Sequence, residues 1–306
     1  MTQHLALVGP TASGKSAVAM AVAHALGDVE IVSVDSMQVY RGLDIGTAKP
    51  SRAEREAVPH HLVDVADPAD EWSVARYQRE ARAAIAEVER RGRRALLVGG
   101  TGLYVRAVID PLEFPPRDLT LRAAIAAELE DPDALARAYD ELSAIDPAAA
   151  ARIEPGNRRR IARALEVVRL TGRPFSSFGA GLQTFGDPVV AVSLIGLWLP
   201  RAELGRRIEQ RVAGMRDAGF VDEVRALRAE GAVSPTAAQA IGYREVLEHL
   251  DAVVALDDAL DRVVARTRAF ARRQRMWFRR DPRITWAAVA DNPCLVVPAL
   301  LALWSA

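Results

Sequence analysis

Eight residues constrain this chain more than any others: Gly9-Pro10-Thr11-Ala12-Ser13-Gly14-Lys15-Ser16. They fill every fixed position of the phosphate-binding loop G-x-x-x-x-G-K-[ST]. The run before them, His4–Val8, reads as a buried strand, and the run after them, Ser16–Leu26, as a helix. In that setting the glycines let backbone N–H groups converge on phosphate oxygens, and the helix dipole favours the anion. Lys15 adds positive charge, and Ser16 is placed to ligand Mg²⁺. Residues Gly9, Pro10, Thr11, Ala12, Ser13, Gly14, Lys15 and Ser16 are therefore all candidate diphosphate contacts. Such a loop recognises a diphosphate and leaves open what that diphosphate is attached to.

Further apolar runs, Ile31–Val34, Ala95–Val98 and Val189–Trp198, alternate with helix-like stretches, notably Ser73–Arg91. Strands alternating with helices predict right-handed βαβ units and a parallel sheet covered on both faces. The expected fold is α/β, a P-loop NTPase-like parallel sheet core with an all-helical insertion domain. The insertion is placed at residues 114–186, where the alternation stops. It opens on Pro115-Pro116, continues with alanine-rich helical periodicity, and is punctuated at Asp131-Pro132, Asp146-Pro147 and Pro155-Gly156. It closes on the Gly-rich stretch Gly179–Gly186. Residues 1–113 and 187–306 form the core, with C-terminal helices expected at Arg201–Ala218, Val221–Glu230 and Leu256–Arg280.

Charge is balanced overall, 40 basic against 40 acidic residues, but segregated along the chain. Arg262–Arg280 holds eight arginines and no acid, and Arg152–Arg173 holds seven arginines against Glu154 and Glu166. Two basic stripes in a neutral chain are the footprint of a polyanionic partner. Lysine survives only at Lys15 and Lys49, which marks both as places where a compact ammonium is needed and a flat guanidinium does not fit. Cys294 is the only cysteine, so no intrachain disulfide forms; it reads as a small buried hydrophobe in a reducing cytoplasm. The apolar tail Cys294–Trp304 is broken by Pro298 and too short to span a bilayer, so it reads as a packing element. The first residues run straight into a strand, with no room for a signal peptide. A cytoplasmic, membrane-free monomer is expected.

Asp35 stands at the carboxyl end of Ile31–Val34, facing the phosphate site of a doubly wound sheet. Three readings stand open for it: cap of a turn, Mg²⁺ ligand, or general base toward a nucleophile held beside the diphosphate. Ala95–Val98 ends in Gly99-Gly100-Thr101-Gly102, where a hydrolytic motor would carry an aspartate. The glycines there are read as letting the backbone approach a ligand, with Thr101 as a hydrogen-bond donor. His60 and His61 adjoin Asp64 without the further ligands a zinc site needs.

These segments together resemble one family. The phosphate loop, Val34-Asp-Ser-Met-Gln-Val-Tyr40, Gly42–Pro50, Pro59-His-His-Leu62 and Gly99–Tyr104 look like tRNA dimethylallyltransferase, also called tRNA isopentenyltransferase. Asn157–Ile161 with Arg163–Glu166, Ile241–Glu245 and Thr267–Arg279 continue the likeness, which spans about residues 5–280. Arg272 and Ala269 depart from it, standing where lysine and glutamine are frequent. The resemblance implies transfer of a dimethylallyl group from dimethylallyl diphosphate to N6 of adenosine 37, in tRNAs reading codons that start with U. It implies Mg²⁺ as cofactor and a base flipped into the pocket. It makes Asp35 the general base, sets Thr101 with the catalytic residues at the tRNA contact, and offers Arg211 as the cation facing the leaving diphosphate. Asp35, Ser36, Met37 and Gln38 would meet the tRNA, as would Thr101, Arg122, Arg159, Arg160, Ile161, Ala162 and Arg163. Three rivals share parts of the pattern: a prenyltransferase of free adenine nucleotides, a small-molecule P-loop kinase, and a non-catalytic RNA-binding module.

Overall fold

The structure, a computed structural model, describes residues 4–179, 182, 184–231, 233–289 and 291–305. Ala180, Gly181 and Gln183 of the predicted Gly-rich stretch lie outside the described residues. The chain divides into two units, Met1–Asp110 with Pro188–Ala306, and Pro111–Asp187.

In the first unit the strands are β1 (His4–Val8), β2 (Val29–Val34), β3 (His60–His61), β4 (Arg94–Gly99), β5 (Val192–Trp198) and β6 (Ile284–Ala288). They form one parallel sheet in the order β3-β2-β4-β1-β5-β6. Two strands were not legible in the sequence. β3 is only two residues long, and β6 is five residues of mixed polarity following an arginine run. The predicted strand at Val189 begins instead at Val192.

The helices of this unit are α1 (Lys15–Leu26), α2 (Arg52–Ala57), α3 (Val74–Arg90) and α4 (Gly102–Ile109). Those of the second unit are α5 (Leu119–Glu128), α6 (Pro132–Ile145), α7 (Pro147–Ala150), α8 (Arg158–Thr171) and α9 (Phe175–Gly179). The first unit resumes with α10 (Arg201–Asp217), α11 (Phe220–Glu230), α12 (Tyr243–Leu250), α13 (Leu256–Phe278) and α14 (Val297–Ser305).

Strand alternation splits the core of the first unit. Leu5, Leu7, Ile31 and Leu96 pack on one face with Val18 and Val22 of α1 and with Leu300 and Trp304 of α14. Ala6, Val8, Val32 and Leu97 pack on the other face with α3, α4, α11 and α12. The apolar tail is thus a packing helix, whereas Cys294 is half-buried and not a core residue. The second unit has its own core of Ile125, Leu129, Leu142, Ile161 and Leu165. The Asp-Pro pairs read as punctuation start its helices: Asp131 and Asp146 are N-caps, each followed by proline at the first helical position.

Candidate active site and basic pocket

Val8, Gly99 and Val34 lie in register across β1, β4 and β2. The three following segments therefore leave the sheet side by side on one rim: the phosphate loop, Gly100-Thr101 and Asp35. With neighbouring strands about 4.8 Å apart, the loop and Asp35 face each other across two strand spacings, roughly 10 Å. They line a cleft of about 1070 Å³ within the first unit, walled further by α10 and α13.

Gly14 caps α1 at φ +89°, and Ala12 also takes a positive φ, so successive N–H groups turn toward one concavity. A Cβ at Gly14 would in addition land on the Pro293 ring. Lys15 Nζ donates to Pro10 O at 2.6 Å and reaches Ser13 Oγ at 3.5 Å. Its depth in the cleft, and after that the nearby Arg211 charge, lower its pKa to about 7, against a smaller raising effect from Asp35. The ammonium is thus under-stabilised until an anion arrives. Arg211 extends from α10 into the same cleft and has no carboxylate within ion-pair distance among the described residues. Burial holds its guanidinium below the usual value, partly offset by Asp35.

Asp35 is a turn cap and more. Its Oδ1 accepts from Met37 N at 2.8 Å and Gln38 N at 3.4 Å, while Oδ2 makes no hydrogen bond to a described residue. Thr101 sits beside it: its Oγ1 accepts from Ser36 N at 3.4 Å, which leaves its hydroxyl hydrogen to donate elsewhere. Met37 lines the cleft and packs on the core. Gln38 lines the cleft as well and also has a structural task. Its amide accepts from Ser33 Oγ at 2.8 Å and its Nε2 donates to Thr47 O and Ala48 O, bracing the 42–50 loop.

That loop is built by Lys49, which the sequence marked, and by residues to which it gave no role. Lys49, its side chain 2% exposed, donates to Tyr40 O at 2.7 Å, to Asp64 Oδ1 at 2.6 Å and to Asp44. Three acceptors around a tetrahedral ammonium explain why lysine survives there. Glu223 of α11 accepts from the N–H groups of Asp44, Ile45 and Gly46 and from Tyr243 Oη. Asp64 is engaged by Lys49 and Arg55, and His61 by Glu30, so neither presents a metal ligand.

The glycines at and after the end of β4 serve a purpose the sequence did not suggest. A Cβ at Gly99 would strike Val34, at Gly100 Gln274 and at Gly102 Trp277. They admit the neighbouring strand and helix α13, while Gly99 and Gly100 also line the cleft. The arginine stripe is likewise partly internal: Arg262 pairs with Glu248, Arg266 with Glu245 and Arg268 with Glu209. Arg272, Arg279 and Arg280 make no ion pair among the described residues, and Arg273 lies over Phe270 at the cleft.

The second unit carries a separate basic pocket of about 410 Å³, lined by Arg122, Arg152, Arg159, Arg160, Arg163 and Phe175. Arg163 is held by Glu166 at 2.7 Å and by the carbonyls of Pro115 and Pro116. Arg152, Arg159 and Arg160 are exposed and unpaired among the described residues. Ile161 and Ala162 correct the expectation of side-chain RNA contact: they are 0% and 1% exposed, on the face of α8 that fills the core. Arg152, missed in the sequence, reaches the pocket from the segment after α7.

Two family descriptions match the sequence: IPP transferase over residues 38–281 and isopentenyl transferase over residues 2–66. A tRNA dimethylallyltransferase of Kineococcus radiotolerans is 50% identical over 296 residues, 94% of this chain and 91% of that protein. One from Bifidobacterium animalis subsp. lactis is 47% identical over 300 residues, 97% and 85% of the two chains. Among solved structures, the tRNA isopentenylpyrophosphate transferase of Bacillus halodurans superposes with TM-score 0.71 at 39% identity, covering 99% of this chain and 97% of its own. A eukaryotic dimethylallyltransferase acting on tRNA superposes with TM-score 0.80 at 28% identity, covering 95% and 75%.

Proposed function

The chain belongs to the tRNA dimethylallyltransferase family, and from that premise we propose how its cleft transfers a dimethylallyl group to N6 of adenosine 37 in tRNAs reading codons that start with U. The observation that carries the reading is the shared rim. The phosphate loop, Asp35 and Thr101 leave three registered strand ends together.

In this reading the diphosphate of dimethylallyl diphosphate rests on the N–H groups of residues 12–16 at the start of α1, between Lys15 and Arg211. Both cations are desolvated, so the negative charge that grows as the C1–O bond breaks meets charges already in place. The acceptor is a poor nucleophile because the N6 lone pair is delocalised into the ring. Oδ2 of Asp35 accepts from N6–H, orients the amine, and takes its proton as the N6–C1 bond forms. The turn N–H groups on Oδ1 fix the carboxylate for this, and Thr101 donates its hydroxyl hydrogen to the flipped base.

Mg²⁺ fits the donor set. Ser16 Oγ is exposed in the first turn of α1, and no cluster of three or more metal-binding side chains exists among the described residues. One protein oxygen, completed by substrate phosphate and water, is the way this hard cation is commonly held. Bound there, it supplies additional charge neutralisation for the leaving diphosphate. The tRNA backbone meets the unpaired arginines Arg159 and Arg160 with Arg152, while Arg122 and Arg163 complete that pocket.

The test offers the protein labelled dimethylallyl diphosphate with unmodified tRNA, AMP or ATP. Label is expected on adenosine 37 of tRNA alone. Label on AMP or ATP in preference to tRNA, or phosphate release from ATP, would overturn the reading.

A further inference from the structure

Gln274 is buried on α13, 6% exposed, where its side-chain amide reaches the phosphate loop. Its Oε1 accepts from Thr11 N at 2.8 Å, and its Nε2 donates to Gly100 O at 2.9 Å. One amide thus ties the loop that receives the leaving group to the loop that carries Thr101. From Thr101 the connection runs on through Ser36 N to the turn capped by Asp35. The missing side chain at Gly100 belongs to the same device, since a Cβ there would occupy the place of Gln274 Nε2. An acceptor facing one loop and a donor facing the other, in one planar group, is a requirement that a charged or apolar residue of similar size fails.

We propose that Gln274 is a positioning residue for prenyl transfer: it sets the separation between the diphosphate loop and the acceptor-side pair Asp35 and Thr101, and fixes that separation to the seat of α13. The inference rests on the function proposed above. A displacement reaction needs its partners about 3–3.5 Å apart, and a 1 Å misplacement costs about 100-fold in rate.

The test compares the full-length wild type with Gln274→Ala, Gly100→Ala and the double variant. For Gln274→Ala, kcat should fall about 100-fold while KM for tRNA stays near wild type and the melting temperature drops by only a few degrees, the loss expected for two unpaired backbone groups. Gly100→Ala alone should lose comparably, because its methyl group displaces the amide. Added to Gln274→Ala it should cost less than it does alone, since the amide is gone and only the tight 3.1 Å approach to Gly9 O remains. A wild-type kcat in Gln274→Ala, or losses that simply multiply in the double variant, would overturn the proposal. Should Gln274→Ala fail to fold, the isosteric Gln274→Glu decides. It sets an oxygen against Gly100 O, so kcat should drop at pH 8 and recover as the pH falls and the new carboxyl protonates; wild-type kcat at pH 8 refutes the bridge. Binding of inorganic pyrophosphate, followed calorimetrically, separates the two levels of inference. A wild type that transfers nothing to tRNA refutes the function, whereas pyrophosphate affinity unchanged by Gln274→Ala refutes the tie to the phosphate loop.

Discussion

The cleft of the sheet unit and the pocket of the helical unit are both basic, yet they hold charge in opposite ways. In the cleft the cations facing the phosphate loop are few and desolvated: Lys15, lowered to about 7, and Arg211, held below its usual value by burial. In the pocket the cations are many and wet: Arg152, Arg159 and Arg160 stand exposed on a folded helical core. A desolvated cation gains most when an anion replaces missing water, which suits charge that appears during a reaction. A solvated arginine gains from counterion release along a polyanion, which suits affinity and its salt dependence. The first arrangement predicts effects on turnover and the second effects on binding.

The sharpest way to break this comparison is at the carboxylate the cleft cations surround. Asp35→Ala should lower kcat by about 10³–10⁴, toward the upper range for a general base, with tRNA affinity within about twofold of wild type. The checks are single-turnover transfer of label and filter binding of tRNA. A kcat near wild type would remove Asp35 from the chemistry. A parallel loss of tRNA affinity would mean that the cleft itself supplies binding.

Next in size is the pocket. Reversing Arg159 and Arg160 together to Glu should weaken tRNA binding by about 10–100-fold and lower the slope of log K against log salt by about two. kcat at saturating tRNA and pyrophosphate affinity should be unchanged. Ile161→Ala, one position on, should act through the core instead, costing about 2–4 kcal/mol of stability in the helical unit as a large-to-small substitution. Urea unfolding followed beside tRNA binding distinguishes the two.

This pair also shows what the sequence could and could not tell. Arg159, Arg160 and Ile161 are adjacent, and the motif marks the segment without saying which side chain faces out; only the helical period against Ile125 and Leu142 decides that. The phosphate loop, Asp35 and the runs that form β1, β2 and β4 were legible because they are local patterns in the sequence; the order in which the strands pair was not. The 42–50 loop was not. Its supports, Glu223 and Tyr243, lie nearly 180 and 200 residues away in sequence, and Lys49 signalled itself only as one of two lysines among many arginines. The glycines after β4 and the helix α13 were each visible, but not that the two pack together, because they lie far apart in the chain. Gln274 stood inside a recognised motif without a role because its two partners come from loops far apart in the chain.

The smallest effect probes the cleft through Lys15. Because its pKa is lowered to about 7 in the folded protein against 10.5 unperturbed, the unfolded chain binds more protons between those values. Stability conferred at this site therefore rises with pH from about 7 toward 10.5 and is lowest below 7, where the folded protein must bury the charge. Lys15→Met removes that cost. It should raise the melting temperature of the ligand-free protein by a few degrees at pH 6.5, about 1–2 kcal/mol after allowing for partial hydration of the cleft, with the gain shrinking as pH approaches 10. The same substitution should abolish pyrophosphate binding. In the wild type, pyrophosphate should draw a proton onto Lys15 at pH 8, seen as heat that varies with the ionisation enthalpy of the buffer, and Lys15→Met should show none. Were Lys15→Met less stable than wild type at pH 6.5, the ammonium would be satisfied by Pro10 O and Ser13 Oγ alone, and the contrast between a strained cleft and a relaxed pocket would fail at the phosphate loop itself.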